Sequence, residues 1–104
     1  MAGVNSFIEE KLNDSNYDIW KLGVMSYLVE NNLWEYVNGE IVKNSNQWNV
    51  KEDRKALVAI YQSVTKDQLL HIRNTTTSKE AWNILKKIHE PKTSGKSIIL
   101  IILK

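Results

Sequence analysis

Four tryptophans punctuate this chain at near-even intervals, Trp20, Trp34, Trp48 and Trp82, in a sequence with one proline, four glycines and no cysteine. Each indole buries a large area and needs one partner for its N–H, so each calls for a packed neighbour. Few residues here break helices, and the anchors therefore favour helices packed around bulky side chains. The missing cysteines exclude a disulfide framework, a thiol nucleophile and every cysteine-based zinc site. With 104 residues there is room for one small domain with one modest core.

Periodicity supplies the helices. Tyr17, Trp20, Val24, Tyr27 and Leu28 recur at spacings of three, four, three and one, which places them on one face of a helix running to about Asn31. Asp14 or Ser15 is positioned to cap its start. Leu33, Trp34 and Val37 predict a short helical turn that stops at Asn38 and Gly39. After a polar connector the pattern resumes from Trp48, and Asp53, Ala56, Leu57, Ile60 and Val64 predict a helix of roughly four turns. Thr65 with Gln68 fits a capping box ahead of Leu69, Leu70 and Ile72. Thr77 with Glu80 fits a second, ahead of Ala81, Trp82, Leu85 and Ile88, and Pro91 closes that last helix.

The fold class is therefore all-α, a small bundle of four main helices plus a short helical turn. Residues 1–14 read as an extended N-terminal arm carrying Phe7 and Ile8, residues 15–90 as the helical domain, and residues 91–104 as a linker and an apolar C-terminal segment. The expected core comprises Tyr17, Trp20, Tyr27, Leu28, Trp34, Trp48, Ile60, Trp82 and Leu85. Core packing accounts for the aromatics without invoking base stacking, because Tyr17, Trp20, Tyr27 and Trp82 fall on the apolar sides of their helices.

Candidate chemistry is sparse. Gly95, Lys96 and Ser97 end like a phosphate-binding loop, but Glu90 stands where its first glycine belongs and a helix, not a strand, precedes it. His71 and His89 lack a second ligand at zinc spacing, and no residues form a recognisable hydrolytic relay. No catalytic, cofactor-binding or metal-binding residue is assigned, and neither a cofactor nor a small-molecule substrate is expected. Charge is uneven: residues 1–52 sum to −4 and residues 53–104 to +6. Such a split suits nucleic acid, an anionic surface or the acidic face of a second copy. Lys79, Lys86, Lys87, Lys92 and Lys96 are the candidate nucleic-acid contacts, a weak signal without interleaved arginine or exposed aromatics. The first thirty residues carry Glu9, Glu10, Asp14 and Asp18 instead of a basic start and an apolar run, which predicts an intracellular, cytoplasmic protein. The longest apolar run, Ile98 to Leu103, is far short of the roughly 20 residues a membrane span needs, so no membrane partner is expected.

The order of the anchors resembles the N-terminal, capsid-like region of the Gag polyprotein of copia-type LTR retrotransposons. Lys11, Leu12, Asn16, Tyr17 and Trp20 match its opening, followed by Met25, Leu28, the Leu33–Val37 stretch and Gly39. Trp48, Lys55, Ala56, Ile60, Ser63 and Val64 continue it, and Thr76 through Trp82 with Leu85 complete it. Asp14 and Ser78 stand where the family usually has Gly and Ala, and the apolar stretch after Lys96 departs from it as a truncated or degenerate copy would. The resemblance implies a non-enzymatic capsid module, resembling a capsid N-terminal domain, that self-associates into virus-like particles enclosing RNA. It implies that RNA is bound mainly by a downstream basic or Cys-His zinc-knuckle region, and this sequence contains no such knuckle. A small basic nucleic-acid-binding module and a Gag-derived adaptor reused by a host are the alternatives.

Overall fold

The computed structural model describes residues 10–90, which form five helices: α1 (Tyr17–Glu30), α2 (Trp34–Val37), α3 (Val50–Gln62), α4 (Lys66–Ile72) and α5 (Ser78–His89). No strand occurs among these residues, and the all-α bundle of four longer helices and one turn is what the periodicity predicts. The apolar C-terminal segment, Lys92, Lys96 and the Gly95–Ser97 tail lie outside the described residues.

Several helix boundaries have a local cause. At the end of α1, Asn32 adopts a left-handed φ of 60°. The Leu33 N–H then donates to the Leu28 carbonyl at 2.7 Å and the Asn32 N–H to Val29 at 3.1 Å, the paired bonds of a Schellman stop. Leu28 and Leu33 are both buried beneath it, so the turn also fixes where α2 begins. Gly39, at φ +90°, ends α2 as the Asn-Gly pair predicts. At α3, the Asn49 side chain accepts from the amides of Lys51 (2.9 Å) and Glu52 (3.3 Å). This cap starts the helix at Val50 and leaves Trp48 in the preceding loop.

The two predicted capping boxes part ways. Thr77 accepts from the Glu80 amide while Glu80 reaches back to the Thr77 amide, so α5 has the full box. The Thr76 and Thr77 amides hold the Glu80 carboxyl below its ordinary pKa, with the Thr76 bond the largest cause. Thr65 makes no side-chain cap on α4, and the other half of the box is missing because the Gln68 side chain is drawn away into bonds with Asp14 and His89. The start of α1 likewise differs from expectation. Asn16, not Asp14 or Ser15, occupies the cap position, and its side chain serves the preceding loop, accepting from the Asn13 amide and donating to the Lys11 carbonyl.

The core lies where α1, α3 and α5 meet. α3 and α5 share the most extensive contact, and α2 and α4 close the ends of the cluster. Trp20 stacks on Trp82 with ring centroids 5.6 Å apart, and Trp34 meets Trp82 edge-on at 5.4 Å. Tyr17, Trp20, Leu28, Ile60, Trp82 and Leu85 are buried there. Tyr27 and Trp34 are only half-buried and pack against the cluster from outside, since each sits near the rim of its helix's inner face. Trp48 is half-buried and outside the core cluster, because the Asn49 cap holds it in the loop. Leu12, by contrast, is fully buried: its amide donates to the Ser63 carbonyl (2.9 Å) and its carbonyl accepts from Thr65 (3.1 Å), an isolated parallel bridge with Val64. The residues just before α1 are therefore part of the packed body.

Candidate interaction surfaces

α1 carries apolar residues on both of its faces. Tyr17, Trp20, Val24 and Leu28 point inward and are buried. Ile19, Leu22 and Val29, at spacings of three and seven, point the opposite way and are 74%, 62% and 55% exposed. Ser26 continues the same stripe, and the exposed carboxylates of Asp18 and Glu30 lie at its two ends. The only cation on α1, Lys21, is held elsewhere: its Nζ lies 2.6 Å from Glu90 Oε2 in a half-buried ion pair. The outward stripe is thus apolar and acidic.

That ion pair belongs to a network that fixes the start of α1 against the end of α5. Tyr17 Oη donates to Glu90 Oε2 at 2.9 Å, and its ring stacks on His89 at 5.5 Å. Gln68 Nε2 donates to Asp14 Oδ1 at 3.0 Å, which leaves Gln68 Oε1 to accept from His89 Nε2–H at 2.7 Å. The Lys21 ammonium holds the Glu90 carboxyl below its usual range, with Tyr17 adding to the effect. Burial and the neighbouring Glu90 push the Tyr17 phenol up, and burial pushes His89 down. These contacts lock the orientation of α1 about its axis, and so decide which of its two apolar faces is left outside.

Beside α1, a groove of about 560 Å³ runs between its C-terminal end and α3. Tyr27, Leu33, Val58 and Ala59 contribute apolar surface to it, and Lys51, Arg54 and Lys55 its cations. Residues 51, 54, 55, 58 and 62 share one face of α3 by their spacing of three, four, seven and eleven, so the cations and Val58 line up along the groove. Glu52, the groove's one carboxylate, is already engaged with Lys55 at 3.1 Å. The groove is apolar within and basic overall.

The lysines expected to contact nucleic acid do not converge. Lys79 at the start of α5 lies over Gly39, where a Cβ would meet its Cε at 3.0 Å. Lys86 and Lys87 are exposed in the last turn of α5, about 10 Å further along the axis. There they oppose the negative end of the helix dipole. Trp48 lines a smaller pocket of about 220 Å³ with Tyr36, Asp53 and Lys79. Asp53 is buried and committed to α5, accepting from Ser78 Oγ at 2.6 Å. His71 is exposed on α4. Among the described residues no three His, Asp or Glu side chains gather as metal ligands would, and no helix is long and apolar enough to cross a membrane.

Neither the stripe nor the groove figured among the sequence-level candidates, although both have a readable signal. Ile19, Leu22 and Val29 keep helical spacing on the face opposite Trp20, and Lys51, Arg54 and Lys55 form a tight i, i+3, i+4 triplet. Residues 24–102 match the family model described as the gag-polypeptide of LTR copia-type. No curated protein and no solved structure matches the chain.

Proposed function

The chain belongs to the copia-type LTR gag-polypeptide family, and we propose that its helical body is a non-enzymatic shell-building module that acts by self-association. The observation that carries this reading is the outward stripe of α1. A helix that is apolar all round is normally covered on all sides, and Ile19, Leu22 and Val29 have no covering element within the described body. Isolated exposed apolar side chains are ordinary on protein surfaces, but three in line on one rigid helix make a contact patch. A shell subunit needs such patches to be moderate in strength, since many weak contacts repeat across a lattice. No cofactor enters this role, and RNA is held to brief electrostatic contact with the scattered lysines of α5.

Sedimentation velocity over a wide concentration range tests the reading. Reversible association that weakens when Leu22 is replaced by Ser is the expected result. A strictly monomeric profile at millimolar concentration would sink it.

A further inference from the structure

We propose that the outward stripe of α1 in one copy seats in the α1/α3 groove of the next, so that the module associates head to tail. This rests on the self-association reading and specifies its geometry. Three observations meet in it. First, the two surfaces are opposite in charge. The stripe is bounded by Asp18 and Glu30 and has no free cation of its own helix, because Lys21 is paired with Glu90. The groove presents Lys51, Arg54 and Lys55, and its one carboxylate is paired with Lys55. Second, both are apolar along the middle, with Ile19, Leu22 and Val29 on one side and Tyr27, Leu33, Val58 and Ala59 on the other. Third, their lengths agree. From Asp18 to Glu30 the helix rises about 18 Å, and from Lys51 to Gln62 α3 rises about 17 Å.

Pairing the stripe with itself would bring acidic helix ends together, and pairing the groove with itself would set Lys51 and Arg54, the cations left beyond the Lys55–Glu52 pair, against their own copies. Like charges placed across an interface cost binding and select against that register. The stripe and the groove lie on different sides of α1, so occupying one leaves the other open for a further copy. A contact of this kind is heterologous and extends into rings or open arrays, depending on the rotation between copies.

Two sets of exposed substitutions separate the halves of the contact. Ile19→Ser with Leu22→Ser removes the two most exposed residues of the apolar stripe, while Arg54→Glu with Lys55→Glu reverses the groove's charge. Circular dichroism confirms that both fold, and Arg54→Ser with Lys55→Ser is the milder replacement if the reversal does not. Each variant alone should sediment as a monomer at concentrations where the parent protein associates. An equimolar mixture should form a one-to-one dimer and stop there, because one intact stripe meets one intact groove and no further growth is possible. A mixture that stays monomeric, or a groove variant that associates like the parent, overturns the stripe-to-groove geometry while leaving self-association standing. A parent protein that never associates overturns both.

Discussion

Removing the Trp82 side chain should be among the costliest single truncations in this body. The indole is 5% exposed and lies between Trp20, stacked at 5.6 Å, and Trp34, edge-on at 5.4 Å. Truncating a buried tryptophan to alanine costs about 3–5 kcal/mol. Each aromatic pairing lost adds about 0.5–1.5 kcal/mol beyond the buried area. Trp82→Ala should therefore destabilise by at least about 4 kcal/mol. A body of about 80 residues has a total stability of roughly 4–12 kcal/mol, so the variant sits at the edge of unfolding in water. Urea titration followed by far-ultraviolet circular dichroism reads this directly. With a slope of about 1–1.5 kcal/mol per molar urea, the midpoint should fall by roughly 3 M or vanish. Trp48→Ala is the control: that indole is outside the core cluster and should shift the midpoint far less. A loss under about 1 kcal/mol for Trp82→Ala, or equal losses at Trp82 and Trp48, would show that the tryptophan cluster does not organise the core.

Ser78→Ala should cost about 1.5–3 kcal/mol, because it leaves the buried Asp53 carboxylate with only the two 3.4 Å contacts to the Ser78 amide. Combining it with Asp53→Ala should recover part of that loss in a double-mutant cycle, and strictly additive losses would argue against the pairing. Stability should also fall on acidification, in two stages. His89 has a depressed pKa in the folded state, so as pH drops below 6.5 the unfolded chain takes up a proton that the folded one resists, and stability declines. Glu90 is likewise depressed, so its contribution is present above pH 4.5 and is lost as pH falls through its lower folded value. Melting curves from pH 8 to pH 3 check both, with His89→Gln expected to flatten the first stage; a pH-independent melt between 8 and 5 in the parent protein would refute the His89 assignment.

The elements of the fold are legible in the sequence wherever a local signal acts alone. The Thr77–Glu80 box and the Asn38–Gly39 stop depend on neighbours a few residues away, and both appear in the structure where the sequence places them. The Thr65–Gln68 box does not, because Gln68 has partners 54 and 21 residues distant that no local pattern can announce. Trp48 and Leu12 exchange roles for a similar reason. A tryptophan outweighs a leucine in any periodicity count, yet the Asn49 cap leaves Trp48 outside the core while the bridge to Val64 draws Leu12 into it.

The outward stripe of α1 gives a weak sequence signal for a physical reason. Periodicity finds a helix face by contrast with its opposite face, and α1 offers little contrast: Tyr17, Trp20, Val24 and Leu28 line one side, Ile19, Leu22 and Val29 the other. Aromatic bulk points to the first as the core, and the second then goes unremarked as residue between anchors. What distinguishes the two faces is the set of contacts reaching α1 from far along the chain: Lys21 and Tyr17 to Glu90, and Trp20 Nε1 to the Ser63 carbonyl at 2.7 Å. Those bonds fix the rotation of α1 and turn the second apolar face outward. A helix with one apolar face needs only its own domain to be satisfied. One with two, held by polar contacts so that the second lies outside the described body, presents an apolar surface that the proposed self-association would cover.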